Sequence, residues 1–355
     1  MPSRRCSPPP ADHVRGAGTS IAGNAVGPGL VLDLGRHLHR ILGLDPEART
    51  ASVEPGVVCA RLQRAAAGHG LRFGPDPSTH DRCTVGGMVG NNACGTRTLA
   101  YGRTADNVVA LDVLTGSGER LRLGPDAAQA AERAPADPSA VLGPLRAVVD
   151  GSLGTIRTEF GRFGRQVSGY GLEHLLPENR FDVARFLAGS EGTLAVITGA
   201  TLRLVEDAPY KIMIALGYPT MADAADAAPL IVDHRPTACE GLDRRIVDVV
   251  RHTRGGAAVP ALPRGDGWMF VELVDLTADC QTHGRQPETI VRLVECRGRL
   301  GFDALRGCPC LRKPVRERHR DAGRVRRGGS EHGSNDEYTQ SAQQTFGRTG
   351  GRARA

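Results

Sequence analysis

A chain of 355 residues, 40% hydrophobic and 24% charged, is long enough for two globular domains with real cores. No run of about 18 apolar residues argues for a membrane span. The formal net charge of +6 is uneven: 15 Arg, one Lys and eight acidic residues from position 281 onward give +8 and leave −2 for the rest, so a nucleic-acid-binding body is not expected.

The nine cysteines are odd in number and scattered. They offer neither a disulfide framework nor four ligands at the spacing of a zinc or iron–sulfur site, so free thiols in a reducing compartment are expected, with no metal. Taken in chain order, residues 1–13 carry basic residues and "SPPP" but no apolar signal region; they are expected to be atypical or disordered. At Arg15 the texture changes to a Gly-rich loop, "RGAGTSIAGNAVGPG", followed by a short apolar strand at 30–34. "RILGLDPEARTASVEPG" is expected to form a hairpin about the turn Asp45–Ala48. "VVCARLQRAAAGHG" places apolar residues at 58, 62, 65 and 66 and then Gly68 and Gly70, the pattern of an amphipathic helix with a glycine stop.

A second Gly-rich stretch, "CTVGGMVGNNACGTR", fills 83–97. After it, "NVVALDVLTGSGERLRLG" alternates Val109, Leu111 and Val113 with Leu121 and Leu123 across a turn, a second hairpin. Residues 124–140 read as a loop and "PSAVLGPLRAVVDG" as a helix. "GSEGTLAVITGATLRLV" (189–205) is a Gly-rich turn feeding a β-branched strand. A strand and an Ala-rich helix after 206 suit the start of a second α+β domain, and "MFVELVDLT" is a strand. Beyond residue 276 apolar periodicity fades and arginines cluster, so 277–355 is expected to be a basic, disordered tail.

Glycine-rich loops serve anions because bare backbone N–H groups can approach them closely. Three standard devices fail here. No Gly-Lys-[Ser/Thr] surrounds Lys211 or Lys313; "GAGTSIAG" has Ile21 where a dinucleotide fingerprint needs its third glycine and leads into a strand; and no G-x-S-x-G occurs there. What remains is a pair of loops, Arg15–Asn24 and Pro75–Gly95, with the small hydroxyls Thr19, Ser20, Ser78 and Thr84. A dinucleotide pyrophosphate held between them would account for both. Tight turns needing positive φ would account for either loop alone.

Three blocks carry a resemblance: "RGAGTSIAGNAV", "GPDPSTHDRCTVGGMVGNNACGTRTLAYGRTADNVVALDVLTGSGE" and "LLPENRFDVARFLAGSEGTLAVITGATLRLV". In that order, over roughly residues 14–205, they resemble the FAD-linked oxidases of the p-cresol methylhydroxylase type, the vanillyl-alcohol oxidase superfamily, and within it the D-lactate, glycolate and D-2-hydroxyglutarate dehydrogenases. The resemblance implies an α+β fold: two α+β subdomains clasping FAD at 14–205, then an α+β substrate cap beginning at 206–276. It implies a pyrophosphate loop at Arg15, Gly16, Ala17, Gly18, Thr19 and Ser20, with Gly23 and Asn24 following. A second block beside the flavin and pyrophosphate would be Pro75, Asp76, Thr84, Gly86, Gly87, Asn91, Gly95 and Gly102. Gly192, Thr193 and Ile197 would approach the adenine and ribose. The first loop has no His, so noncovalent FAD is expected, and His80 is expected to be a loop residue rather than a covalent anchor.

The resemblance implies hydride transfer from the carbinol carbon of a small 2-hydroxy acid to the flavin, with a cytochrome, quinone or electron-transfer flavoprotein as electron acceptor. The location it implies is cytoplasmic or peripheral at the inner membrane. Two departures are expected to matter. Only 14 residues precede Arg15 where the family has a further strand–helix–strand unit, so the first subdomain is expected to be incomplete. The cap is expected to be truncated, since no segment of the H-x-G-D-G kind supplies a catalytic base and "SEHGSNDE" (330–337) is a poor substitute. A non-catalytic, truncated or frameshifted remnant is the rival expectation.

Overall fold

The computed structural model describes residues 13–23, 25–27, 29–125, 138–275 and 290–295. They fall into two compact units, Met1–Asp207 and Ala208–Ala355. The first opens with two short parallel strands, β1 (His13–Arg15) and β2 (Val31–Asp33), joined by the first Gly-rich loop. Strands β3 (Ile41–Asp45) and β4 (Thr50–Val53) form the first expected hairpin. Its turn works through Asp45, whose carboxylate accepts from the amides of Glu47 (3.0 Å) and Ala48 (2.9 Å), and Arg49 then takes φ +52°.

Helix α1 (Cys59–Ala67) buries Cys59, Leu62 and Ala66 and stops at Gly68, as its apolar spacing requires. Strand β5 (Leu71–Phe73) follows, then the short helices α2 (Val85–Asn91) and α3 (Thr98–Tyr101). Strands β6 (Val108–Thr115) and β7 (Arg120–Leu123) form the second hairpin, with Leu111 opposite Leu123 and Val113 opposite Leu121. The core face of β6 differs from simple alternation in one place: Val108 is buried and Val109 only half-buried. The register slips between Val108 and Ala110, and this bulge exchanges the faces of the residues before it. Most of the expected loop at 124–140 lies outside the described residues. Helices α4 (Pro138–Gly151), α5 (Leu153–Glu159) and α6 (Val183–Leu187) lead to β8 (Ala195–Glu206).

The long strand β8 organises the unit. The sheet order is β3-β4-β8-β6-β7 with antiparallel neighbours, and β5 continues along β8 past the end of β4. One core lies against it, built from Val53, Leu62, Phe73, Val85, Met88, Leu111, Leu202 and Leu204 among others. Each such large apolar side chain contributes on the order of 2 kcal/mol by leaving water.

The second unit contains β9 (Tyr210–Tyr218), α7 (Met221–Val232), β10 (Ala238–Asp243), α8 (Arg244–Arg254), β11 (Gly267–Asp275) and β12 (Ile290–Glu295). The sheet order is β10-β11-β9-β12, with β9 and β12 parallel and the other neighbours antiparallel. A capping box starts α7: Thr220 Oγ1 accepts from the Asp223 amide and the Asp223 carboxylate accepts from the Thr220 amide, both at 3.1 Å. Ile214, Leu216, Tyr218, Ala227, Ile231 and Met269 form its main core. Of the basic stretch after residue 276, only β12 is described; the remainder lies outside the described residues, as do residues 1–12. No described helix is long and apolar enough to cross a membrane.

Candidate functional site

The three Gly-rich blocks, distant in sequence, meet in the first unit. The first loop lies on the start of α2. A Cβ placed on Gly16 would collide with Thr84 Oγ1 and come within 3.4 Å of Gly87 Cα. Only glycine lets these two backbones pass so closely. The second and third blocks are tied by backbone and side chain: the Glu191 amide donates to the Gly90 carbonyl (2.9 Å), the Gly189 amide to the Val89 carbonyl (2.9 Å), and Asn91 Nδ2 to Glu191 Oε1 (2.8 Å). The third reaches the first at Gly192, φ +76°, where a Cβ would sit 3.7 Å from Val14.

Within this meeting point the two Gly-rich loops treat their amides differently. In α2 the first turn is already satisfied. Val85 donates to the Val57 carbonyl (2.8 Å), Gly86 to the Pro55 carbonyl (2.7 Å), and Gly87 to Thr84 Oγ1 (3.4 Å). Among the described residues, the amides of Gly16, Ala17, Gly18, Thr19 and Ser20 donate to no protein acceptor. Gly18 has φ +65°, and a Cβ there would lie 2.9 Å from the Arg15 guanidinium. Five successive amides are thus unspent beside an arginine and bent through a positive φ, the kind of backbone on which an anion can be seated.

Other expected residues serve the frame of the site. Pro75 is buried. The Asp76 carboxylate is held by Arg97 and by Arg72 (3.5 Å). A Cβ on Gly95 would strike the Asp76 carbonyl, so this glycine closes the second block on itself. Gly102, φ +76°, ends α3 against the side chain of Asp106. Thr193 hydrogen-bonds to Tyr170 (2.9 Å) and to the Ser190 carbonyl (2.6 Å). Ile197 points into the core. Gly23 lies at φ +79° in the first loop, and Asn24 lies outside the described residues. His80 is bound to Asp81 at 2.8 Å, in the turn before Thr84.

The supporting groups were the ones hardest to find by sequence pattern. Asn92 takes the left-handed conformation (φ 48°) that ends α2, and its Oδ1 accepts from the Ala105 amide at 2.9 Å. Arg103 is buried and joins the second block to the segment before the third: it donates to the Gln166 carbonyl (2.9 Å) and pairs with Asp106 (3.2 Å) and Glu173 (3.6 Å). Burial alone would raise the Asp106 carboxyl; the hydrogen bonds and charge of Arg103 outweigh it and hold Asp106 below its ordinary value. Burial also pushes the His174 imidazole below its ordinary value, against the pull of Glu173, and leaves its Nε2 without a hydrogen-bond partner. The cue to Arg103 and Asp106 was the pair's spacing of three residues, which fits a turn but does not identify one.

Residues 13–124 match the family model described as an FAD binding domain. This region is an FAD-binding domain. The D-2-hydroxyglutarate dehydrogenase of Pseudomonas putida is 34% identical over 248 residues, a match that covers 67% of this chain and 25% of that protein. The D-lactate dehydrogenase of Archaeoglobus fulgidus is 31% identical over 245 residues, covering 68% of this chain and 44% of its own length. The chain therefore spans about a quarter of the D-2-hydroxyglutarate dehydrogenases it matches. A solved alkyldihydroxyacetonephosphate synthase superposes with a TM-score of 0.50 at 17% identity, covering 74% of this chain and 44% of that one, a likeness of fold. FAD is the cofactor of this domain. Among the described residues no group of three or more His, Cys, Asp or Glu side chains is gathered to hold a metal.

Proposed function

We propose that the chain is an FAD-dependent oxidoreductase that takes a hydride from a small 2-hydroxy acid, of the D-lactate, glycolate or D-2-hydroxyglutarate kind. The observation that carries the reading is the run of unspent amides at Gly16–Ser20, seated on Thr84 and Gly87 where three sequence-distant blocks meet. Those amides and the Arg15 guanidinium would take the pyrophosphate, and the FAD, once bound, supplies the hydride acceptor. Gly86, Gly87 and Asn91 would lie alongside the cofactor and Thr193 would approach its adenine and ribose, with Glu191 fixing Asn91 and Tyr170 fixing Thr193. No covalent anchor is offered by Thr19 or Ser20, so FAD is held noncovalently. A cytochrome, quinone or electron-transfer flavoprotein would reoxidise it, in the cytoplasm or at the inner membrane surface.

The test is direct. The purified chain should be yellow, release intact FAD on acid precipitation, and bleach anaerobically with one of the three hydroxy acids. A colourless protein that takes up no added FAD would contradict the reading. A second reading, an FAD-binding relative without turnover, is favoured by the exposed apolar residues that follow the first loop: Leu30, and Val31 and Leu32 of β2, are 58%, 42% and 38% exposed. Yellow protein that no hydroxy acid bleaches would support it.

A further inference from the structure

The first unit contains a buried pair of thiols that the cofactor site does not use. Val58 and Thr84 form an isolated antiparallel bridge, and the Cys59 amide donates to the Cys83 carbonyl at 2.9 Å. This register sets Cys59 and Cys83 directly opposite each other, with both side chains in the core. Residues so placed have Cα atoms about 4.5–5.5 Å apart, within the span of about 4.4–6.8 Å that a disulfide bridges. Both cysteines are free thiols.

We propose that Cys59 and Cys83 are a redox modification site, closed to an intramolecular disulfide by a small peroxide. The two cysteines differ in access. Cys59 is fully buried, whereas Cys83 keeps 5% of its surface and follows the exposed turn residues Asp81 and Arg82. A peroxide therefore reaches Cys83 first. The facing Cys59 thiol, with Thr79, favours the Cys83 thiolate, while Cys83 and burial push the Cys59 thiol up.

The Cys83 sulfur attacks one oxygen of hydrogen peroxide and breaks the O–O bond. It becomes a sulfenic acid, and the other oxygen leaves as water with the thiol proton. The Cys59 sulfur then attacks the Cys83 sulfur, breaking its S–O bond; the hydroxyl leaves as a second water with the Cys59 proton. Two thiols lose two electrons and one peroxide gains them. The product fastens the start of α1 to the residue that precedes the N-cap of α2.

The experiment uses the full chain, treated with hydrogen peroxide, alkylated and cleaved with trypsin without reduction. Cleavage after Arg49, Arg61, Arg82 and Arg97 yields peptide 50–61 with Cys59 and peptide 83–97 with Cys83 and Cys94. The expected result is a linked 50–61/83–97 species that dithiothreitol separates, kept in C94S and lost in C83S. In C59S, a sulfenic-acid reagent should label Cys83. Should C59S fail to fold, the wild-type and C94S maps decide alone. Peptide 83–97 linked through Cys94, or sulfenic acid on Cys94 with Cys59 and Cys83 still alkylated as free thiols, would overturn the proposal.

Discussion

The two Gly-rich stretches of the first unit have similar compositions and opposite uses. In the second, glycine makes room for the protein's own backbone: Gly86 lies where a Cβ would be 2.6 Å from Pro55, Gly95 packs on the Asp76 carbonyl, and the amides of Val85 and Gly86 are spent on Val57 and Pro55 respectively. In the first, the amides of Gly16–Ser20 are unspent and the loop faces away from the core, with Ile21 91% exposed. Glycine content marks a backbone that must come close to something. The fate of the N–H groups tells whether that something is protein or ligand.

Substitutions can break this contrast. The largest effect is expected at Gly95: G95A puts a methyl group against an Asp76 carbonyl that cannot move without opening the second block, and should cost about 3 kcal/mol or more, read as lost soluble yield or a large fall in Tm. G18A in the first loop should act mainly on the cofactor. A φ of +65° costs an alanine about 1 kcal/mol in stability, while displacing the cradle should weaken FAD binding about tenfold or more, measured by flavin fluorescence. If G18A loses fold and keeps FAD affinity, the contrast is wrong.

T84A sits on the seam between the two stretches. Its Oγ1 caps α2 through the Gly87 amide and touches the Gly16 position. Loss of the cap should cost about 1 kcal/mol, seen in denaturant unfolding, with a smaller loss of FAD affinity than in G18A.

The smallest effect belongs to the surface, away from both loops. Arg157 grips Glu178 with two hydrogen bonds of 2.9 and 3.0 Å and lowers its carboxyl to about 2. A depressed folded-state value stabilises above the unfolded carboxyl's range and is lost as pH falls toward 2. The difference in Tm between wild type and E178Q should therefore be small at neutral pH, shrink as pH drops below the ordinary carboxylate range, and diminish with added salt because the pair is exposed.

Much of this unit was legible in the sequence, for reasons that can be named. The Asp45 turn has a local hydrogen-bonding side chain, α1 has apolar residues at helical spacing with a glycine stop, and β8 is rich in β-branched residues; each signal is local. The bulge in β6 was not legible, because a one-residue slip depends on what β8 presents opposite it. The same holds for the site. The three blocks were recognisable as strings, whereas Asn92, Arg103, Tyr170 and Glu191 act through partners 13, 63, 23 and 100 residues away and leave no periodic trace.

The central claim, that the first loop holds the FAD pyrophosphate with its own amides, is tested most directly by hydrogen exchange on the apo and FAD-bound chain, resolved by residue. The amides of Gly16–Ser20 should exchange fast in the apo protein and slow markedly with FAD, while those of Val85 and Gly86 stay protected in both states. Exchange at Gly16–Ser20 that FAD leaves unchanged, with new protection appearing only elsewhere, would contradict it.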